Sequence, residues 1–140
     1  MLFRSVLLII GYLRNGTVFL AYRAYRAGRL DDMERLLART ARPELLAPKQ
    51  RVIFEYLSGI AADRRGELGA ARRHFFFATI ERRYNRLRAQ AWVQLAHTEL
   101  LMGDIAGARS SIAEARRIAQ PGLEMHVHQV ERAIEEAGRA

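Results

Sequence analysis

Trp92-Val93-Gln94-Leu95-Ala96-His97-Thr98-Glu99-Leu100-Leu101-Met102-Gly103-Asp104-Ile105-Ala106-Gly107-Ala108 is the stretch that decides how this chain folds. Ala91, Leu95, Thr98 and Met102 recur at three- and four-residue steps, with Trp92 and Ala96 beside them, which is one face of a helix predicted over Leu87 to Met102. Gly103 tolerates the left-handed backbone that ends helices and is read as a stop. Ile105, Ala108, Ile112, Ala115 and Ala119 then begin a second stripe, over Ile105 to Ala119. The stretch therefore reads helix, tight turn, helix.

The same punctuation occurs twice upstream. Gly28-Arg29-Leu30 and Gly66-Glu67-Leu68 precede Gly103-Asp104-Ile105 at steps of 38 and 37 residues. A period of this length belongs to stacked helical hairpins, each burying its apolar face only against its neighbours. Working outward, a helix is expected over Thr17 to Ala27 (Val18, Phe19, Ala21, Tyr22, Tyr25). A second begins near Leu30, with Leu30, Met33, Leu36 and Leu37 inward and Asp31, Asp32 and Glu34 in its first turn, where negative charge suits the helix dipole. Pro43 and Pro48 bracket a loop. Lys49 to Arg65 and Leu68 to Ile80 form the next pair. Phe75-Phe76-Phe77 spans about 200° of helix, so one ring is expected at a boundary, packed on the neighbouring hairpin or exposed as an aromatic contact. Pro121 suits the first turn of a last helix. Leu123, Val127, Val130 and Ile134 form its apolar side and Glu124, His128, Glu131 and Glu135 its wet side, the pattern of a cap.

The first residues are different. Leu2 to Leu13 is strongly apolar, but the uninterrupted run from Val6 to Leu13 is shorter than the roughly 20 residues needed to span a bilayer. Extension to Tyr22 puts Arg14 near the middle, at a cost of about 2.5–3.5 kcal/mol. No small-x-small cleavage pattern follows, so a signal peptide is not expected. The segment is expected to cap the stack, to rest on a membrane surface with Arg4 and Arg14 favouring anionic lipid, or to pair two copies. The expected organisation is residues 1–15 as an apolar helix, 16–120 as three hairpins and 121–140 as a cap.

Composition narrows the function. The chain of 140 residues is one domain by length, and half of it is hydrophobic. Cysteine is absent, which excludes disulfides, a thiol nucleophile and a cysteine zinc site. The net charge of +8 comes almost wholly from arginine, Lys49 being the only lysine, and attracts acidic partners. His126 and His128 fall on opposite sides of a helix and cannot readily share a metal; His74 and His97 are isolated. No glycine-rich phosphate loop, His-Glu-x-x-His or nucleophile elbow is present. Neither an enzyme nor a cofactor is expected.

The residues resemble a known family. Trp92-x-x-Leu95-Ala96, Gly103-Asp104, Ala108, Ile112 and Ala115 resemble a tetratricopeptide repeat, with Ile112 where the family has an aromatic and Glu99 where it has tyrosine. A second copy reads Gly59, Ala62, Gly66, Ala71, Phe75 and Ala78, with Glu55 and Ser58 in place of the usual Trp and Leu. A third, earlier copy reads Leu20, Ala21, Ala24, Gly28, Leu30 and Leu37, with Met33 in place of alanine. The period exceeds the family's 34 by about one helical turn, which keeps each apolar face in phase. Ala71 and Ala108 let paired helices approach, and Trp92 and Phe75 would fill the space between hairpins.

The resemblance implies an all-α hairpin stack that acts as a cytoplasmic protein-interaction scaffold, with a membrane-associated form as the alternative. It implies a concave groove lined by the first helix of each hairpin: Tyr22, Tyr25 and Arg26, then Tyr56, Ile60 and Arg64, then Gln90, Val93 and His97. Such a groove suits a peptide or helix carrying an acidic group. Separately, Arg64, Arg65, Arg72, Arg73, Arg82, Arg83, Arg86 and Arg88 crowd one segment. As a basic patch they suit phosphates, although no module that reads nucleic-acid sequence is present and an acidic peptide is the favoured partner.

Overall fold

The computed structural model describes residues 2–40, 42–118 and 120–140, and for residues 7–15 the backbone alone. Among these residues there are seven α-helices, a short 3₁₀ turn at Pro43–Leu45 and no strand. The helices are α1 (Leu2–Arg26), α2 (Leu30–Ala38), α3 (Pro48–Arg64), α4 (Leu68–Ile80), α5 (Asn85–Leu101), α6 (Ile105–Ile118) and α7 (Glu124–Arg139).

Three turns set this order. Gly28, Gly66 and Gly103 have φ of +76°, +74° and +83°. At each, the same pair of hydrogen bonds closes the helix end. Arg29 N–H donates to the Ala24 carbonyl and Gly28 N–H to that of Tyr25; Glu67 N–H donates to Ala62 and Gly66 N–H to Asp63; Asp104 N–H donates to Glu99 and Gly103 N–H to Leu100. This is the Schellman arrangement, which satisfies carbonyls that a helix end leaves open and requires left-handed backbone at the glycine.

Sequence neighbours pack against each other from α1 through α7, and the first helices of the hairpins also meet, α1 with α3, α3 with α5 and α5 with α7. The core is nearly continuous. One cluster runs from Val18 and Met33 through Tyr56, Leu57 and Phe75 to Ala91 and Leu95; the other joins Val93, Ala96, Ala108 and Ile112 to Val127 and Ile134 of α7. Trp92 packs against both clusters. Ala71 and Ala108 are fully buried at the close helix contacts where small residues were expected.

Several expectations need correction. The break anticipated near residues 14–16 is absent: α1 runs unbroken from Leu2 to Arg26, so the boundary between residues 15 and 16 falls inside a helix. A single glycine inside a helix costs about 1 kcal/mol, which the turns on both sides of Gly16 outweigh. The last helix begins at Glu124 rather than Pro121, because Gly122 has φ of +88° and makes a turn there. Of the three consecutive phenylalanines only Phe75 is buried; Phe76 and Phe77 are exposed, and the Arg51 guanidinium lies over the Phe77 ring at 5.0 Å. Ala119, placed on the α6 stripe, lies outside the described residues, as do the side chains of Leu7–Leu13 and Arg14.

Candidate functional site

The expected groove divides into three kinds of position. Tyr56 and Val93 are core residues, 1% and 7% exposed, and are not groove-lining. The Tyr56 ring meets Tyr25 edge-on at 5.7 Å and Phe75 at 5.8 Å. Its hydroxyl shares a hydrogen bond of 2.9 Å with that of Tyr25, and burial together with Tyr25 pushes the Tyr56 phenol far above its ordinary value. Arg64 turns away from the groove to α2, donating to Glu34 at 3.0 Å and Asp31 at 3.2 Å. Arg26 and His97 are exposed, with Arg26 over the Tyr22 ring at 6.0 Å, and Tyr22, Tyr25, Ile60 and Gln90 are half-buried. Six positions thus remain available on the first helices.

The expected basic patch is not one patch. Arg65 binds Glu34 and Glu67 at the glycine-turn end of the stack. Arg72 lies 3.5 Å from Asp104 and 3.9 Å from Glu99. Arg82, Arg83, Arg86 and Arg88 lie at the other end of α4, a helix about 20 Å long. There Arg83 binds Glu81, whose carboxyl is held down at about 2 by hydrogen bonds from the Arg83 side chain and backbone. Arg88 donates to the Thr79 carbonyl at 3.2 Å, satisfying one of the open carbonyls at the end of α4. Arg73 is exposed on α4 and has no ion pair among the described residues.

A larger concavity lies elsewhere, between α4, α5 and α6. It is a cleft of about 620 Å³ with Phe76, Trp92, Leu95 and Met102 as its apolar lining and Arg72 and Arg73 on its α4 side. Glu99, 5% exposed, lies in it and accepts a 2.5 Å hydrogen bond from the Ser111 hydroxyl. Gly107 completes the wall: a Cβ there would meet the Glu99 and Asp104 carboxylates, which would have to shift. Asp104 also accepts a hydrogen bond of 2.9 Å from Gly107 N–H, fixing the start of α6. Phe76 is 55% exposed and Met102 41%, a paired apolar lip on the cleft.

Arg72, Arg73 and Trp92 stand out in the sequence, but the members of this cleft run from Gly69 to Ser111 and only the fold brings them together. Two signals pointed to it. Phe76 could not share the inward face with Phe75, and Glu99 falls four residues after Leu95, on its inward side of the helix.

A second buried carboxylate, Glu55, is held between α3 and α4. It accepts hydrogen bonds from Arg51 at 3.0 Å and shares one of 2.6 Å with His74 Nδ1. Burial pushes the Glu55 carboxyl up, but the hydrogen bond and charge of His74 and those of Arg51 outweigh it, so the group lies below its ordinary value. Glu55 and Glu99 serve parallel purposes: each ties one helix to the next through a polar bond inside an apolar layer.

No family model, no curated protein and no solved structure matches the chain.

Proposed function

We propose that this chain is a non-enzymatic interaction scaffold, a three-hairpin stack of tetratricopeptide character with α7 as its cap, and that it grips a segment of a partner protein in the cleft between α4, α5 and α6. The observation that carries the reading is the composition of that cleft. Apolar Phe76, Trp92, Leu95 and Met102 stand beside Arg72 and Arg73, while Glu99 and Asp104 engage Arg72 and leave Arg73 without an ion partner among the described residues. The complementary ligand is a peptide with an aromatic or aliphatic anchor followed by a carboxylate. Apolar anchors in desolvated pockets supply most of the affinity of such contacts, and arginine at the rim supplies orientation. Three equal turns with first helix meeting first helix support the stacked-hairpin reading.

The test is selection from a displayed peptide library, followed by calorimetry of the selected peptides against the parent chain and two variants. Phe76→Asp should weaken binding by about 2 kcal/mol or more, as loss of an anchor contact does. His97→Ala, on the first-helix face, should leave it unchanged. Selected peptides insensitive to Phe76→Asp but sensitive to His97→Ala would move the site to the first-helix groove and refute the cleft.

A further inference from the structure

We propose that the end of the stack opposite the glycine turns is a docking surface for an anionic lipid bilayer, with the first half of α1 inserted into one leaflet. This goes beyond the peptide cleft, which opens on a different face.

The inference begins with where α1 loses its neighbours. The Thr17 hydroxyl bonds that of Thr40 at 3.0 Å, and Thr40 follows the last residue of α2, Ala38. Nothing of α2 therefore lies alongside residues 2–16. The same holds for α3. Tyr25 meets Tyr56 across a sequence separation of 31, and in the hairpin stack α3 runs parallel to α1, so Pro48, the first residue of α3, stands level with Thr17. Residues 2–16 thus extend about 22 Å beyond both packing partners. Leu2, Phe3 and Val6 on this extension are 85%, 84% and 51% exposed. The sequence continues through Leu7, Leu8, Ile9 and Ile10. A length of about 22 Å falls short of a hydrocarbon core of roughly 30 Å, and the exposed Arg4 near its tip favours a helix held at the headgroup boundary of one leaflet over one driven end-on through it. No helix among the described residues is long and apolar enough to cross a membrane.

The second observation is independent and concerns charge. Because the helices alternate in direction, the three connections at residues 39–51, 80–88 and 116–124 gather at the end from which α1 projects. They carry ten basic residues against three acidic ones. The glycine turns at the other end, residues 26–32, 63–67 and 102–105, carry four basic against five acidic. The stack is polarised along its helix axes, and its basic pole is the pole with the apolar projection. At that pole Arg39, Arg42, Lys49, Arg82 and Arg86 are exposed and have no ion pair among the described residues. Leu45 and Ile80 are exposed among them at 44% and 62%, and Tyr84 lies half-buried beside Lys49.

A surface of unpaired cations interspersed with exposed aliphatic side chains and a tyrosine is what a headgroup layer complements. Each cation near an anionic surface contributes about fivefold to partition, and the attraction fades within a Debye length of the membrane. A second copy of the chain fits less well, since two such poles facing each other would bring like charges together.

The experiment is flotation of the full chain with vesicles of phosphatidylcholine alone and with vesicles containing about a third phosphatidylserine. The chain should float with the anionic vesicles, remain behind with the neutral ones, and be released at high salt. Arg82→Gln with Arg86→Gln should weaken partition about 25-fold, at about fivefold for each charge. Phe3→Glu with Val6→Glu should abolish flotation even at low salt. All four side chains are exposed, so both variants should keep the parent's melting curve. The proposal is overturned if the parent chain ignores both vesicle types, or if the folded variants float as the parent does. It is also overturned if light scattering finds a dimer, dispersed by Phe3→Glu with Val6→Glu, that does not float.

Discussion

Replacing Gly59 with alanine asks directly whether α3 and α4 pack as described. Gly59 lies in the middle of α3, facing the Phe75 ring of α4. A Cβ added there would stand 2.6, 2.7 and 2.9 Å from three ring carbons, closer than atoms of this kind approach. The ring has little room to yield: Phe75 is fully buried and sits against Tyr56, which is itself held by Tyr25. Forcing an extra carbon into such a core costs about 1–3 kcal/mol. Alanine recovers up to about 1 kcal/mol of helix propensity, so the net loss should be about 0–2 kcal/mol. For a domain of this size that lowers the melting temperature by up to about 7 °C. The assay is thermal and urea unfolding followed by far-ultraviolet circular dichroism, with an unchanged m-value as the sign that the unfolded state is the same. Gly69→Ala is the control. It is also helical, but its added Cβ meets only Arg73 at 3.9 Å, so it should be neutral or stabilising. Phe75→Leu in the Gly59→Ala background should recover part of the loss, giving a favourable coupling in the double-mutant cycle. A Gly59→Ala chain as stable as the Gly69→Ala control would mean that the Phe75 ring does not fill the space beside Gly59, and the α3–α4 interface would have to be redrawn.

Gly103→Ala should cost about 1–2 kcal/mol through backbone strain alone, since φ is +83° and no atom lies within 4 Å of the added Cβ; a Gly103→Asn chain should lose less in the same denaturation assay. Glu99→Ala should cost about 1–3 kcal/mol by leaving the buried Ser111 hydroxyl without its acceptor, and Glu99→Ala with Ser111→Ala should cost less than the sum of the two single changes. The folded-state pKa of Glu55 is below its ordinary 4.5, so on acidification the unfolded chain takes up this proton first. The stability that Glu55 contributes is therefore complete above about pH 4.5 and is lost as pH falls through the folded value; urea midpoints measured from neutral pH into that range should fall less steeply for Glu55→Gln than for the parent.

What was legible in the sequence followed from local backbone chemistry. Left-handed turns demand glycine, so Gly28, Gly66 and Gly103 announced themselves, and the helix ends expected between them lie within two residues of those observed. Apolar spacing also identified the buried faces of α2, α6 and α7, whose stripes are narrow: Met33 and Leu37, Ala108 and Ile112, Val127 and Ile134. It was least informative for α3 and α5, which touch neighbours on several sides and bury residues around much of their circumference. On such a helix a tyrosine at a groove position is as readily a core residue, and Tyr56 is one. The hydroxyl that made it look like a contact residue is satisfied internally by Tyr25.

Arginine crowding misled for a different reason. Residues 64–88 are close along the chain, but α4 lies between their two halves and carries Arg65 and Arg82 to opposite ends of the stack. At the glycine-turn end the arginines meet carboxylates contributed by α2 and by the turns: Arg64 and Arg65 find Glu34, and Arg72 finds Asp104. At the other end Arg82 and Arg86 find none among the described residues, nor do Arg39, Arg42 and Lys49 at the same end of the helices. These five cations are up to 47 residues apart along the chain, so no short sequence window contains them all. The fold converts a diffuse excess of arginine into one pole of unpaired charge, and that pole is where the apolar half of α1 leaves its neighbours. Neither half of this arrangement is visible alone. A short apolar run with an arginine after it looks too weak to engage a bilayer, and scattered arginines look like ordinary solvated surface. Together, at one end of the packed helices, they would supply hydrophobic burial and electrostatic attraction at the same surface under the membrane-docking proposal, the combination that holds a protein at a membrane when neither contribution suffices by itself.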